Sequence, residues 1–322
     1  MKLVTIDNVA GGVPGAVLES GEILHLGKAA ETGSLEAWLP ASVRGILQAG
    51  SQGMAVVRAL VTRVESSSSH HKDLMRNAGC ITPARTPLLA PLPLPGLVVA
   101  AGLAYRSHLA EMAGTPTPTR PTAFMKSPHS ITAPGAAVQI PPHAAHHVDY
   151  EGELAVVFGK RCAGVSKEDA LKYVAGYCAA NDISARDWVQ EVWSATSPWE
   201  ARQTWEVNIM GKQFDGFTPL GPVLLTVDEI PDLGALTIKT RLNGKLMQSA
   251  PVSDLIFDLS ETIAYLSRWY TFEPGDVLLT GTPAGVGVGR KPPVFMQPGD
   301  TVEVEIDRIG TLRNTLAMSA PR

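Results

Sequence analysis

The stretch EGELAVVF, Glu151 to Phe158, restricts the possible folds more than any other part of this chain. Leu154, Ala155, Val156, Val157 and Phe158 follow one another without a polar interruption. Side chains of a strand alternate between its two faces, so such a strand is apolar on both and is buried at that end. The other end differs. With VDY in front, Asp149, Glu151 and Glu153 hold alternate positions and point to one side, neighbours being about 6.5–7 Å apart along the backbone. A half-exposed strand with its acids in water has the same pattern. Against that stand the buried continuation and the lack of any Lys or Arg on the strand to balance the charge. Three carboxylates at the mouth of a buried strand suggest a shared hard divalent cation, which takes oxygen ligands and tolerates one or two carboxylates plus waters. A further ligand from elsewhere in the chain would strengthen that reading.

The chain has 322 residues, enough for one large domain or one large and one small. Lys plus Arg is 27 and Asp plus Glu is 31, a formal net charge of −4 with no basic block, which argues against a nucleic-acid partner. The start, MKLVTIDNVAGGVPGAV, lacks the apolar core of a signal peptide. The most apolar stretch, Leu88 to Tyr105, contains Pro91, Pro93 and Pro95 and so makes a poor membrane helix. Cys80, Cys162 and Cys178 are odd in number and form no C-x-x-C, which fits a reduced, cytoplasmic setting.

Residues 1–75 read as a small N-terminal α+β domain, with short strands in LVTIDN and PGAVLESGEILHLG and helical spacing in SLEAWLPASVRGILQAG. ESSSSHHKD reads as a solvated loop. Residues 76–96 contain TPARTPLLAPLPLPG, a stiff Pro-rich linker. From 97 to 322 the pattern changes. LVVAAGL is a buried strand, and YRSHLAEMAG is a short helical segment with His108 and Glu111 three apart on one face. SKEDALKY begins like a capping box and predicts a helix to about Tyr173; VAGYCAAND then delivers Asp182 at a strand end. The last third is strand-rich, with an Asn-Gly hairpin turn in RLNGKLMQ and one helix around DLSETIAYLSRWY.

Seven segments, GLAYRSHLAEM, FMKSPHSI, VDYEGELAVVFGK, VAGYCAANDISARDW, GKQFDGFTPLGP, LNGKLMQ and PGDVLLTGTPAGVG, together resemble the fumarylacetoacetate hydrolase family over residues 97–317. The resemblance implies an α+β, strand-rich fold, a mixed β-sandwich or β-roll catalytic domain, and a homodimer. It implies that Glu151, Glu153 and Asp182 bind a metal, Mg²⁺ or else Mn²⁺ or Ca²⁺. Asp149 matches no ligand position and is left either to support the ligands or to water. Some members carry an additional acid ligand seven residues before the catalytic histidine; Ala101 stands there, so the chain resembles the three-carboxylate branch. His108 and Glu111 match a His/Glu dyad that activates water, and Lys212 matches a lysine that stabilises enolate charge. Lys126 is either a binder of the substrate carboxylate or a surface lysine. Arg186, Gln248 and Thr282 match substrate-contacting positions. Gly281, Gly285 and Gly287 serve the turn, and His129, His143, His146 and His147 have no matched role.

The implied reaction is hydrolysis of a carbon–carbon bond in a 2,4-diketo acid of the acylpyruvate type. The same site without water attack would tautomerise or decarboxylate a keto acid such as oxaloacetate, or act as a hydratase. A catalytically silent, ligand-binding homologue is the rival of a different class; a β-rich metal oxygenase would want histidine ligands, which do not flank these acids. Between Asp182 and Lys212 the chain is longer than the family pattern. The added segment, about 190–207, carries Trp193, Trp199 and Trp205 in what reads as a loop, and is expected to pack on something: either as a dimer contact or a cover for a nearby apolar face, or as a lid wall that shapes the distal end of the substrate pocket.

Overall fold

The computed structural model describes residues 1–32, 39–112, 115–144, 146–188, 191 and 194–320. Two sheets dominate. The larger is mixed, and Gly152–Phe158 runs near its middle, antiparallel to Val174–Asn181 on one side and to Val277–Leu279 on the other. Thr218–Thr226 extends the sheet beyond Val174–Asn181, and Val98–Gly102 extends it, in parallel, beyond Val277–Leu279. The smaller sheet has five strands in the order Lys245–Pro251, Thr237–Leu242, Thr301–Ile306, Gly310–Met318 and Ala137–Ile140. Its first two strands are joined by the expected Asn-Gly turn, with φ of 51° at Asn243 and 79° at Gly244.

The double-faced apolar run is explained by two cores. Leu154, Val156 and Phe158 pack with Ile238, Val304, Ile306 and Leu312 from the five-stranded sheet. Ala155 and Val157 pack instead with Val43, Ile46, Leu47, Val57 and Leu60 from the N-terminal helices. Each face of one strand therefore contributes to a separate apolar cluster, which no half-exposed strand does.

The N-terminal segment joins the larger sheet. Its first strand, Lys2–Ile6, pairs with Thr218–Thr226 through Lys2 with Leu225 and Leu3 with Leu224. Within the Pro-rich stretch a turn at Ala84–Arg85 and bends at 91–94 flank Leu88–Leu89, which pairs with Thr5 and Ile6. The sheet thus runs across the sequence boundary drawn at residues 76–96.

Three local expectations are corrected. Ser69–Asn77, in the stretch read as a loop, is helical and is capped by Ser68, whose Oγ accepts from the His71 N–H at 3.3 Å. The serine run there is a helix start. SKEDALKY makes only a 3₁₀ turn at Ala170–Tyr173. Ser166 does accept from Asp169 N at 3.3 Å, but Val174 then enters the sheet and leaves no room for a second turn. Part of the inserted segment, Pro198–Met210, is a helix with a complete capping box between Ser197 and Glu200 and a proline in its first turn. The helix around DLSETIAYLSRWY is found at Leu259–Leu266, capped by Asp258.

Candidate metal centre and its dyad

Strand register builds the carboxylate cluster. Gly152 pairs with Asn181, which puts Glu151 across from Asp182 at the ends of adjacent strands; the Asp182 N–H donates to Glu151 O at 2.8 Å. Cross-strand neighbours on one face have Cβ atoms about 4.5–5.5 Å apart. Glu153, two residues further on, points the same way. All three are buried, and each offers a carboxylate oxygen within 4.8 Å of the others. Among the described residues this is the one cluster of three such groups.

The glycine between the two glutamates is set by the second sheet. A Cβ at Gly152 would lie 2.0 Å from Thr240 Oγ1. Gln248 and Thr282 close the same contact: the Gly152 N–H donates to Gln248 Oε1 at 3.0 Å, and Thr282 Oγ1 donates to Gly152 O at 3.0 Å. Gln248 Nε2 donates to Thr282 Oγ1 and to Pro283 O, both at 2.8 Å. In this arrangement the polar groups of both side chains hold the strand that carries Glu151 and Glu153.

Three cations surround the acids. Lys212 Nζ donates to Glu151 Oε2 at 2.7 Å, Asp182 Oδ2 at 2.7 Å and Ser184 Oγ at 2.6 Å. Lys126, buried and so no surface lysine, donates to Asp182 Oδ1 and to Phe217 O. Arg186 donates through Nη2 to Glu151 Oε1 and through Nε to Asp149 Oδ2, the latter at 3.3 Å. Asp149 is fully buried and is not left to water.

Charge balance differs sharply between the two glutamates. Burial alone would raise the Glu151 carboxyl, but Lys212 and then Arg186 overcome it and hold it well below the ordinary range. Glu153 goes the other way: burial and the negative charges of Asp182 and Glu151 push it well above its usual value. Burial would lower the Lys212 ammonium, yet Asp182 and Glu151 raise it; at Lys126 burial wins over Asp182 and lowers it. A carboxylate raised by burial and by its like-charged neighbours, in an all-oxygen donor set, fits a hard dication placed among the three.

The dyad stands beside the cluster. Arg106–Glu111 is a short helix reached from the Val98–Gly102 strand, and His108 is buried on it. His108 Nδ1 lies 2.7 Å from Glu111 Oε1, the i,i+3 contact expected of one helix face. Glu111 Oε2 accepts from the Gly285 N–H at 2.8 Å. That glycine belongs to the loop 281–288, whose N–H groups repeatedly meet these acids. Gly281 N donates to Glu153 Oε2 at 2.7 Å, Gly287 N to Asp149 Oδ1 at 2.6 Å and Val288 N to Asp149 Oδ2 at 3.1 Å. Gly285 has φ of 101°, and a Cβ at Gly287 would lie 2.6 Å from Asp149 Oδ1, so both glycines serve the backbone.

A profile of the fumarylacetoacetate hydrolase C-terminal region matches residues 97–317, about two-thirds of the chain. The chain belongs to the fumarylacetoacetate hydrolase family. Among its family relatives, the oxaloacetate tautomerase fahd2, mitochondrial, of Xenopus laevis is 38% identical over 276 residues, covering 86% of this chain and 78% of that one. The oxaloacetate tautomerase YisK of Bacillus subtilis is 35% identical over 304 residues, covering 94% and 95%. A crystal structure of maleylpyruvate hydrolase from Sphingobium sp. SYK-6 with manganese(II) and pyruvate aligns over 99% of this chain and 100% of that one, with a TM-score of 0.71 and 25% identity. The chain is thus a family enzyme with three buried acids able to bind a metal. The relatives' activities favour the tautomerase alternative over the acylpyruvate hydrolysis expected first.

Other site expectations divide. His129, His143, His146 and His147 are all exposed, as surface histidines are. Trp193 lies outside the described residues. Trp199 and Trp205 are 62% and 52% exposed in the single chain, with the Arg202 guanidinium 5.5 Å over the Trp199 ring, while Thr204 and Asn208 form the buried side of their helix. Sequence reasoning missed Ser184 and Asn181. Asn181 Oδ1 accepts the Glu151 N–H at 2.9 Å, and Ser184 Oγ is a partner of Lys212. Their signal was their place on either side of Asp182 at the end of a strand. No helix of the described residues is long and apolar enough to cross a membrane.

Proposed function

We propose that this chain is a divalent-metal-dependent keto–enol tautomerase of a small 2-keto dicarboxylic acid of the oxaloacetate type. The observation that carries the reading is a proton-transfer dyad, His108 and Glu111, fixed beside a buried three-carboxylate cluster in a chain whose relatives are named oxaloacetate tautomerases. Glu151, Glu153 and Asp182 would hold Mg²⁺ or Mn²⁺, and such an ion supplies a pull on the electrons of a keto oxygen. His108 takes a proton from the carbon next to the keto group as that C–H bond breaks. Glu111 accepts from Nδ1, sets the tautomer that leaves Nε2 basic, and stabilises the charged ring. The electron pair moves onto the keto oxygen, which takes up a proton from solvent while His108 gives its own back to solvent, so the enol forms with no net change in protons. Lys212 faces the same carboxylates and offsets the developing negative charge.

The electrostatics suit an anionic substrate. Four buried acids, Asp149, Glu151, Glu153 and Asp182, stand against three buried cations, Lys126, Arg186 and Lys212. A dication turns that excess of one negative charge into one positive, which attracts a keto acid. Acylpyruvate hydrolysis is the second reading, favoured by the likeness to a maleylpyruvate hydrolase. A reducing compartment such as the cytoplasm and a homodimer are part of the proposal.

The test follows ultraviolet absorbance of the enol of oxaloacetate, then of a panel of acylpyruvates, before and after chelation and Mg²⁺ or Mn²⁺ addition. Metal-restored equilibration of oxaloacetate tautomers, with pyruvate-forming cleavage of acylpyruvates much slower, supports the reading. Fast acylpyruvate cleavage without tautomerisation refutes it in favour of the second.

A further inference from the structure

Asp149 has no part in the reaction above, yet it is more thoroughly bound than any ligand of the cluster. It is fully buried and lies two residues before Glu151. Oδ1 accepts from Gly287 N at 2.6 Å and from its neighbour Tyr150 N at 2.9 Å; Oδ2 accepts from Val288 N at 3.1 Å and from Arg186 Nε at 3.3 Å. Arg186 is the shared element: its Nη2 donates to Glu151 Oε1. One guanidinium therefore divides itself between a carboxylate that would serve a metal and one that would not. A guanidinium presents parallel N–H groups that match both oxygens of a single carboxylate. Arg186 does not dock on Glu151 in that two-pronged way: its Nε side is held by Asp149, and Lys212 holds the second Glu151 oxygen.

We propose that Asp149 is a positioning residue for the metal centre: by engaging the Nε side of Arg186 it keeps that guanidinium from closing on Glu151 and leaves Glu151 available to a dication. This rests on the metal-centre reading above and adds to it an assignment for a residue that is not a ligand. Without the Asp149 charge, Arg186 keeps a single acidic partner and competes with the ion for it. Loss of an outer partner of this kind lowers metal affinity by about 10- to 100-fold. The competition predicts a specific rescue. Removing Arg186 as well should restore what the loss of Asp149 took away.

The experiment titrates Mn²⁺ into the chelator-treated full chain by calorimetry, with thermal melting as a check of folding. Asp149→Asn keeps the side chain's size but places an N–H₂ group opposite donors. It should weaken Mn²⁺ binding at least about 10-fold. Arg186→Gln should bind Mn²⁺ as well as the parent or more tightly. Asp149→Asn/Arg186→Gln should match Arg186→Gln within about twofold, a non-additive result that shows the Asp149 effect to pass through Arg186. A double variant as weak as Asp149→Asn overturns the proposal, since a merely structural role is not rescued by deleting Arg186. If Asp149→Asn does not fold, Arg186→Gln decides alone: binding at least equal to the parent's supports the proposal, and binding weaker by about 10-fold or more overturns it. Failure of the parent to bind Mn²⁺ overturns the metal centre together with this role. Loss of the oxaloacetate reaction with the binding pattern intact overturns only the proposed reaction.

Discussion

Gly152→Ala isolates the contact that orients Glu151 and Glu153, the two glutamates proposed to bind the metal. The added methyl would sit 2.0 Å from Thr240 Oγ1 and 3.3 Å from both Gln248 Oε1 and Val304 Cγ1. Thr240 is fully buried and β-branched, so its hydroxyl has little freedom to swing away. The sheets must separate locally, straining the 3.0 Å bonds from Gly152 N to Gln248 and from Thr282 to Gly152 O. Overpacking of this kind costs about 1–3 kcal/mol. At roughly 2 °C per kcal/mol for a chain of this size, the melting temperature should fall by about 2–6 °C. Glu151 and Glu153 flank the displaced residue, so Mn²⁺ affinity should fall with it. Thr240→Ala supplies the control. Thr240 Oγ1 is buried without a partner, so its removal alone should stay within about 1 kcal/mol of neutral. Combined with Gly152→Ala it should recover most of the lost melting temperature and metal affinity, because the remaining neighbours stand at 3.3 Å. Differential scanning calorimetry and Mn²⁺ titration of the four proteins check this. A Gly152→Ala protein with the parent's melting temperature, or a double variant no better than the single, refutes the reasoning.

Other outcomes follow from the same geometry. Glu153→Ala or Asp182→Ala should abolish both activity and tight Mn²⁺ binding, and unaltered calorimetric binding by either variant would remove that residue from the ligand set. His108→Ala should keep metal affinity and lose turnover by about 10²–10⁴, measured by enol absorbance. Lys126→Met breaks a buried pair with Asp182 and should cost about 3–5 kcal/mol in urea unfolding, where a loss under 1 kcal/mol would count against the pair. Trp199→Ala and Trp205→Ala replace exposed rings and should shift stability by no more than about 0.5 kcal/mol; a changed ranking among keto acids, with metal affinity constant, would revive a pocket role for their helix.

The buried strand was legible because its period-two pattern and its apolar run act within ten residues, and the Asn-Gly hairpin because two adjacent residues dictate its φ values. His108 and Glu111 were legible as a pair because three residues of helix place them on one face. The direction of Arg186 was not, since it depends on Asp149 and Glu151 lying across a sheet register that the sequence does not print. Gln248 and Thr282 read as substrate contacts by motif alone; that they brace Gly152 needs the approach of two sheets. The helix at Pro198–Met210 was missed although SPWE carries a capping box, because three tryptophans with no apolar period drew attention to a loop. Its inverted character, with Thr204 and Asn208 inward, defeats any reading that sorts helix faces by hydrophobicity.

The two cores meeting on one strand bear on how such an enzyme can be inherited and rearranged. Ala155, Val157, Cys178 and Ala180 share a core with residues contributed before position 97, while the proposed metal ligands sit at the ends of those same two strands. A fragment beginning at the family boundary near residue 97 would carry the ligands, both dyad residues and all three neighbouring cations, yet would present an uncovered apolar sheet face to water. Gene fusion or shuffling can therefore move this chemistry only together with some lining for that face, whether this leader, an unrelated one or a neighbouring subunit. The leader is free to diverge in sequence so long as it keeps covering, while the strand beneath it is constrained from both sides.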